Sequence, residues 1–215
     1  MRDIELVIFD CDGVLVDSEV IGNTIMADSL SAHGLVVSLK ECMDLFVGAT
    51  MAGVKVKAEG LGAVLPEDWV ARIYDKIYAR LRQGCPLIDG VTEVLDALDA
   101  AGIPYCVASN GSREKMGITL GQNGILQRFG NRVYSAQELG TAKPAPELFW
   151  HAAQGVNPVR CVVIEDSLNG IRGAAAAGMR CFGYAPEGGD VEGATRFTRM
   201  VDLPELLGLG GTATA

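Results

Sequence analysis

The sequence contains no apolar stretch that is long enough to cross a bilayer, and it has few basic residues. No apolar run approaches the roughly 20 residues that a membrane-spanning helix needs, so we predict no membrane anchor. Lysine and arginine number 18 against 27 acidic residues, which gives a net charge of −9. Because a nucleic-acid surface needs clustered basic residues, this balance argues against a nucleic-acid partner. A small phosphorylated substrate is still compatible, since a bound cation and one or two local bases outweigh a distant net charge.

The cysteines and the first residues bear on the cellular compartment. The six cysteines show no metal-ligand spacing, and Cys106 and Cys161 lie within apolar runs, so we predict reduced, buried thiols. Charged Met1-Arg2-Asp3 leads directly into a strand-like segment, a pattern unlike a signal peptide. We therefore expect a cytoplasmic protein. Nothing in the sequence marks a subunit interface, so the oligomeric state is open and a monomer is plausible.

Short apolar runs alternate with helical patterns over most of the chain. Three apolar stripes at helical spacing end at Gly102, Gly155 and Gly178, as helices commonly do. The predicted strands are Leu6–Phe9, Tyr105–Ala108, Arg132–Ser135, Cys161–Ile164 and Arg180–Tyr184, the last of which closes the series. Near-continuous apolar strands separated by helices indicate a parallel sheet that is covered on both faces. We predict an α/β fold with a Rossmann-like parallel sheet and helices on both of its faces.

The stretch from about Asp17 to Gln83 interrupts this alternation. It contains no convincing strand, and its clearest element is a helix that opens at Pro66 and carries apolar and aromatic residues as far as Leu81. We interpret that stripe as helix packing rather than as a cofactor site. The sequence therefore predicts a discontinuous core, residues 1–16 and 86–215, with a small all-helical cap, residues 17–85, over the carboxyl edge of the sheet. The glycine-, threonine- and alanine-rich tail, residues 208–215, is predicted to fray.

Two pairs of acidic residues follow predicted strands. Asp10 and Asp12 come after the first strand, and Glu165 and Asp166 come after the fourth. Ligands of parallel α/β sheets bind beyond the carboxyl ends of the strands, and residues two apart at a strand end point the same way. Carboxylates so close are costly unless a cation neutralises them, and such oxygens suit Mg²⁺. A helix cap would explain either pair alone, but the coincidence favours a cation site.

A hydroxyl and a lysine join these acids at the same edge. Ser109-Asn110-Gly111 follows the second strand, where the serine and the backbone N–H groups of a helix start can donate to a phosphoryl oxygen. Lys143 precedes a proline-started helix, which can direct its ammonium group into the cleft. Taken singly, an ordinary turn and a solvated lysine would explain both features. Together with the acid pairs they predict a site for phosphoryl chemistry.

These residues resemble, in order, the four motifs of the haloacid dehalogenase-like hydrolase superfamily. The run from Phe9 to Ser18 resembles the first motif, and Ser109 and Lys143 match the second and third. Glu165-Asp166 and the residues that follow, as far as Gly178, resemble the extended fourth motif. The ordered set is highly specific and spans essentially the whole chain. The helical insert is similar to the small cap that members of this family carry after the first strand.

The resemblance implies a reaction and a role for each aspartate. Asp10 would attack phosphorus in line and become an aspartyl phosphate, while Asp12 would protonate the leaving oxygen and then activate the hydrolytic water. Dehalogenases of the superfamily do not use an acid at the position of Asp12, so this residue points to phosphoryl transfer. An anionic nucleophile that approaches an anionic phosphate needs charge offset from Mg²⁺ and lysine.

The resemblance also implies the groups that bind the cofactor and the phosphate. Mg²⁺ is the implied cofactor, and its ligands would come from the acidic motifs: Asp10, Asp166, the backbone carbonyl of Asp12, and Glu165 as a ligand or an adjacent group. The phosphoryl oxygens would be bound by the second and third motifs: Ser109, Asn110, Gly111 and Lys143.

Within the superfamily the chain resembles the β-phosphoglucomutase-like group, with two departures. Gly22 stands where the mutase carries a cap histidine, and in the segment from Val47 to Met51 the methionine replaces an arginine that grips a second phosphate. Loss of that bidentate contact favours a simple phosphatase of sugar phosphates or sugar-acid phosphates. Lys55 and Lys57 of the insert would meet an anionic sugar, although exposed helix lysines explain them equally well.

Two other functions are weighed against the phosphatase. A sugar-phosphate mutase of the β-phosphoglucomutase type is the enzymatic alternative. A phospho-acceptor signalling domain also gathers acids, a hydroxyl and a lysine at parallel strand ends. Its phosphorylated aspartate lies on a middle strand, however, and it carries no helical insert after the first strand, so the order of motifs here disfavours it.

Overall fold

The chain divides into two compact units, which are described separately. The computed structural model describes residues 4–46 and 49–209. Met1–Val16 and Pro86–Ala215 form an α/β unit, and Asp17–Cys85 form a helical unit. Residues 1–3, Val47 and Gly48 of the segment compared with the mutase, and residues 210–215 of the predicted fraying tail lie outside the described residues.

The α/β unit is built on a six-stranded parallel sheet. Its strands are β1 (Leu6–Phe9), β2 (Tyr105–Ser109), β3 (Val133–Ser135), β4 (Cys161–Glu165), β5 (Arg180–Tyr184) and β6 (Thr195–Phe197). Their order across the sheet is β3-β2-β1-β4-β5-β6, and every neighbouring pair runs parallel. The strand order reverses direction at β1, which makes its carboxyl end the usual place for a ligand. The predicted α/β, Rossmann-like fold is confirmed.

The sixth strand contradicts the expectation that the series closes at Tyr184. β6 continues the sheet beyond β5, with Tyr184 beside Phe197. It has only three residues, and Phe197 alone among them is buried. Thr195 and Arg196 are polar and exposed, so β6 leaves no apolar run in the sequence, which is why periodicity does not find it.

The helical unit contains four α-helices and, within its described residues, no strand. They are α1 (Glu19–Ala32), α2 (Leu39–Phe46), α3 (Met51–Gly60) and α4 (Trp69–Leu81). The last begins at Trp69 rather than at Pro66, because the backbone N–H of Trp69 donates to the Pro66 carbonyl in a turn that precedes the helix. The buried indole of Trp69 donates to Ser29 Oγ of α1 at 3.0 Å, which ties α4 to α1.

Seven short helices accompany the sheet in the described part of the α/β unit. They are α5 (Val91–Ala100), α6 (Arg113–Gln122), α7 (Leu126–Phe129), α8 (Ala136–Leu139), α9 (Glu147–Ala153), α10 (Leu168–Ala176) and α11 (Leu203–Leu206). Single 3-10 turns precede β4, at Pro158–Arg160, and α11, at Met200–Asp202. None of the helices in the described ranges has both the length and the apolar character that crossing a membrane requires.

The core lies on both faces of the sheet. Ile8 of β1 belongs to a buried cluster with Phe149 of α9 and Ile171 of α10. Its neighbour Phe9 alternates to the opposite face, where its ring meets Tyr105 edge-on at a centroid distance of 6.4 Å. Each such side chain stabilises the fold by roughly 1.5–3 kcal/mol through burial. All six cysteines are free and buried, as predicted.

Candidate active site

The turn after β1 presents two aspartates at the carboxyl edge of the sheet. The backbone N–H of Asp10 donates to the Ile164 carbonyl at 2.9 Å, which continues the pairing of β1 with β4 beyond the strand. The chain then turns at Gly13, whose φ of +77° favours glycine. A Cβ atom at Gly13 would overlap the carboxylate of Asp166. Glycine therefore allows both the turn and the close approach of the loops after β1 and β4.

Ser109 ends β2 and is almost fully buried. Its Oγ accepts a hydrogen bond from the N–H of Gly111 at 2.9 Å. The Gly111 carbonyl in turn accepts from Ser135 Oγ at 2.7 Å. The Asn110 side chain accepts from the backbone N–H of Lys143 at 2.9 Å. The structure thus ties the predicted phosphate-binding loop directly to the predicted lysine.

Lys143 lies between two carboxylates. Its Nζ is 2.5 Å from Asp10 Oδ1 and 2.5 Å from Glu165 Oε1, and its side chain is only 3% exposed. Burial lowers the pKa of Lys143, but the attraction of Asp10 and Glu165 outweighs it and raises the pKa above its usual value. The lysine is therefore a fixed positive charge beside Asp10.

Glu165 is completely buried, and both of its oxygens have protein partners. Oε1 meets Lys143, while Oε2 accepts from the N–H and the hydroxyl of Ser167, the latter at 3.0 Å. Ser167 also caps α10 by accepting from the Gly170 N–H. A Cβ atom at Gly170 would overlap the Glu165 carboxylate, so this position favours glycine. Glu165 thereby joins the lysine to the start of α10.

Three of the predicted metal-binding residues come together. Asp10, Glu165 and Asp166 each offer a carboxylate oxygen, and these oxygens lie within 4.8 Å of one another. Carboxylate oxygens are the donors that Mg²⁺ prefers. The residues therefore fit a hard divalent cation, with Asp10 and Asp166 better placed to give an oxygen than Glu165, whose oxygens already accept hydrogen bonds.

The pKa of Asp10 is strongly perturbed by its surroundings. Burial raises the pKa of Asp10 to about 7; Lys143 opposes this rise, while Glu165 and Asp12 add to it. Repulsion by these two carboxylates disfavours the charged form of Asp10, and a cation would relieve it. The protein alone thus holds Asp10 at a proton affinity far above that of a free aspartate.

Lys115 is a site residue to which the sequence analysis assigns no role. It lies in the first turn of α6, and its Nζ is 2.8 Å from Asp12 Oδ1. Burial lowers its pKa, but the attraction of Asp12 outweighs burial and raises the pKa. A lysine three residues after the cap residue Ser112 is the only sequence signal, and many exposed helix lysines share it. Together with Asp12 and Lys143, the site contains four carboxyl groups and two ammonium groups; when all are ionised, the negative charges exceed the positive charges by two.

The lysines of the helical unit have partners within that unit. Lys55 Nζ donates to the Glu67 carbonyl at 3.0 Å, and Lys57 Nζ donates to the Leu45 carbonyl at 2.6 Å. Both contacts join α3 to neighbouring segments, which gives these two side chains a packing role. Their predicted role in binding an anionic sugar stays a prediction.

Comparisons with known proteins agree with this geometry. The model of the haloacid dehalogenase-like hydrolase family matches residues 4–178. The chain is 31% identical to 6-phosphogluconate phosphatase of Escherichia coli, with 96% of each protein covered. It is 27% identical to hexitol phosphatase B of the same organism, with 83% of this chain and 82% of that protein covered.

A solved structure extends the likeness to three dimensions. A hydrolase of this family from Deinococcus radiodurans, with bound phosphate and sodium, superposes with a TM-score of 0.81 at 33% identity, and each chain is covered completely. Strand order, motif positions and sequence likeness therefore lead to one assignment. The chain belongs to the haloacid dehalogenase-like hydrolase family.

Proposed function

We propose that this enzyme is a Mg²⁺-dependent phosphatase that hydrolyses small phosphorylated sugars or sugar acids through an aspartyl phosphate on Asp10. One observation carries the proposal: the Asp10 carboxylate is held 2.5 Å from a buried lysine, beside the acids that follow β4. This arrangement supplies a nucleophile, a fixed positive charge and hard-cation ligands at one point of the sheet edge. Asp12, two residues further on, supplies an acid-base group.

In the first half of the proposed reaction, the phosphoryl group is transferred from the substrate to Asp10. A carboxylate oxygen of Asp10 forms a bond to phosphorus as the bond to the substrate oxygen breaks. Asp12 gives a proton to that departing oxygen, so that a neutral alcohol leaves. Lys143 and Ser109, with the N–H groups of their loops, would hold the phosphoryl oxygens during the transfer.

In the second half, water replaces Asp10. Asp12, now a carboxylate, accepts a proton from water while the water oxygen bonds to phosphorus. The bond between phosphorus and Asp10 breaks, inorganic phosphate leaves, and both aspartates return to their starting states. Mg²⁺, held by Asp10, Asp166 and the carbonyl of Asp12, would supply positive charge that offsets the charge of the phosphoryl group.

The proposed substrates follow from relatives and from two positions of the helical unit, which we propose acts as a cap domain. The relatives named above are a 6-phosphogluconate phosphatase and a hexitol phosphatase, and both act on phosphorylated sugar derivatives. Gly22 of α1 and Met51 of α3 have neither the imidazole nor the guanidinium group that the β-phosphoglucomutase carries at these positions. Hydrolysis is therefore favoured over isomerisation of a sugar phosphate.

A phosphate-release screen tests the proposal. The purified enzyme is assayed with 6-phosphogluconate, hexose and hexitol phosphates and phosphoglycolate, in Mg²⁺ and after treatment with EDTA. We expect turnover that Asp10→Asn lowers at least about 1,000-fold, as loss of a nucleophile does. The matched variant Asp202→Asn, which changes an exposed aspartate of the same unit, should retain full activity.

Three results would contradict the proposal. Full turnover by Asp10→Asn would remove that residue from the role of nucleophile. Activity that EDTA leaves unchanged would show that the reaction needs no metal ion. Conversion of β-glucose 1-phosphate to the 6-phosphate, without release of phosphate, would favour the mutase instead.

A further inference from the structure

Asp10 and Asp12 of the first motif are each paired with a different lysine. Lys143 binds Asp10, whereas Lys115 binds Asp12 at 2.8 Å. The side chains of Lys115 and Asp12 are 22% and 18% exposed, so this pair is much less solvated than an ordinary surface ion pair. The reaction proposed above uses Lys143 and leaves Lys115 without a function.

The pair orients the Asp12 carboxylate. Oδ1 lies 2.8 Å from the Lys115 ammonium group, while Oδ2 lies 3.4 Å from the point that a Cβ atom of Gly111 would occupy. Ser109 Oγ lies 3.2 Å from the same point, and Lys115 Cδ lies 3.7 Å from it. One oxygen of Asp12 is thus held by the ammonium group, and the other lies close to Gly111, a residue of the loop that would bind the phosphoryl group.

Lys115 itself is held by a rigid element. Its N–H donates to the cap residue Ser112 at 3.1 Å, and its carbonyl accepts from Thr119 Oγ1 at 3.1 Å. At the start of the same helix, Arg113 forms a two-pronged ion pair with Glu138 of α8. A side chain that extends from a fixed helix turn can define the position of its partner more narrowly than a loop residue can.

We propose that Lys115 is a positioning residue for acid-base catalysis, which holds Oδ1 of Asp12 so that Oδ2 exchanges protons with the leaving oxygen and with water. The inference rests on the function proposed for Asp12. Proton transfer needs a heavy-atom distance of roughly 2.6–3.2 Å, so freedom of the carboxylate to rotate away would reduce the rate. Lys115 acts on the reaction only through Asp12.

This role makes the effect of Lys115 depend on the leaving group. A sugar alkoxide is a poor leaving group and needs the proton from Asp12 as the bond to phosphorus breaks. A p-nitrophenolate ion leaves without a proton. A positioning role therefore predicts that loss of Lys115 slows the hydrolysis of alkyl phosphates much more than that of p-nitrophenyl phosphate.

Lys115→Met tests this prediction because it keeps the length of the side chain and removes its charge. The kcat/KM values are measured for p-nitrophenyl phosphate and for 6-phosphogluconate, or for the sugar phosphate that the wild-type enzyme hydrolyses fastest. We expect a loss of about 100-fold for the alkyl phosphate, within the range of acid-base contributions, and of less than about tenfold for the aryl phosphate. Arg160→Met, which breaks the exposed pair with Glu5 at the opposite edge of the sheet, is the matched control and should change neither value. Equal losses for both substrates, or no loss for either, would overturn the inference.

A second measurement works even where Lys115→Met folds poorly. The variant Asp12→Asn and the double variant Asp12→Asn/Lys115→Met are compared with each other, with p-nitrophenyl phosphate as the substrate. The double variant removes the ion pair as a whole and leaves no uncompensated charge. If Lys115 acts through Asp12, the two variants have kcat/KM values within about threefold of each other. A much lower value for the double variant would show that the lysine acts independently and would overturn the inference. A wild-type enzyme that hydrolyses no phosphate ester at all would refute the proposed function instead.

Discussion

Replacement of Lys143 by methionine should destabilise the α/β unit strongly. The ammonium group lies 2.5 Å from both Asp10 and Glu165, and the three side chains are at most 11% exposed. Removal of one partner from a buried ion pair costs about 3–5 kcal/mol, because the charge that remains is uncompensated. Two carboxylates lose their partner here, so we expect a loss of about 4 kcal/mol in the free energy of unfolding for the metal-free protein at pH 8.

The loss should depend on pH in a defined direction. Burial already raises the pKa of Asp10 to about 7, and removal of Lys143, which opposes that rise, would raise it further. A carboxyl group whose pKa is raised in the folded state loses stability as the pH rises through that pKa. The destabilisation by Lys143→Met should therefore be smaller at pH 6, where Asp10 binds a proton, than at pH 8.

Urea unfolding in EDTA, followed by tryptophan fluorescence, measures this loss of stability in the α/β unit. The sequence has two tryptophans: Trp150 lies on α9 of the α/β unit, and Trp69 lies in the helical unit. In a Trp69→Phe background, fluorescence therefore reports on the α/β unit alone. A destabilisation below about 1 kcal/mol at pH 8 would refute the reasoning, since it would equal that of a surface pair.

A double variant tests the cause of the effect. Glu165→Gln removes one of the two carboxylates that Lys143→Met leaves without a partner. The double variant should thus be more stable than Lys143→Met alone by about 1 kcal/mol or more. Additive losses would mean that the lysine stabilises the unit through other contacts, such as the cation–π contact with Phe149, whose ring centroid lies 5.3 Å from Nζ, and not through its pairing with Glu165.

Two further predictions concern the metal and the glycines. Mg²⁺ added to the metal-free protein should raise its Tm, as measured by differential scanning fluorimetry. Asp166→Asn should remove most of that rise in Tm, whereas Asp202→Asn should retain it. An equal rise in both variants would contradict the proposed metal site. Gly170→Ala should lower the free energy of unfolding by about 3 kcal/mol, because the new Cβ atom would overlap Glu165. Gly22→Ala in α1 should raise the free energy of unfolding by about 0.5–1 kcal/mol, because no atom lies within 4 Å of the position of its Cβ. Urea titration of both glycine variants gives the comparison, and equal effects would contradict it.

Most of the fold could be predicted because its strands are buried on both faces. Five strands appear in the sequence as apolar runs, and a parallel sheet needs such runs. The exception, β6, is a three-residue edge strand with little to bury. The start of α4 was predicted three residues early, because a proline is compatible both with the first turn of a helix and with the turn before it.

The composition of the site was predictable, but its internal contacts were not. Asp10, Ser109 and Asp166 lie at strand ends, and the carboxyl edge of a parallel sheet collects such residues. Lys143 instead lies in the loop between α8 and α9, which brings it to the same edge. Which oxygen of Glu165 accepts from which donor depends on rotamers that a sequence does not encode locally. Lys115 was missed for the same reason: its position on a helix was visible, but the direction of its side chain toward Asp12 was not.

The pairing of β1 also has a consequence for biosynthesis. Val7 pairs with Tyr105 and Leu6 pairs with Cys161, so both neighbours of this strand are translated long after it. The helical unit, Asp17–Cys85, is complete before either neighbour leaves the ribosome. Pairing across such separations is slow, and an apolar strand with open edges is prone to aggregate while it waits. The strand that precedes Asp10, the proposed nucleophile, is thus exposed to aggregation until the later strands have been synthesised.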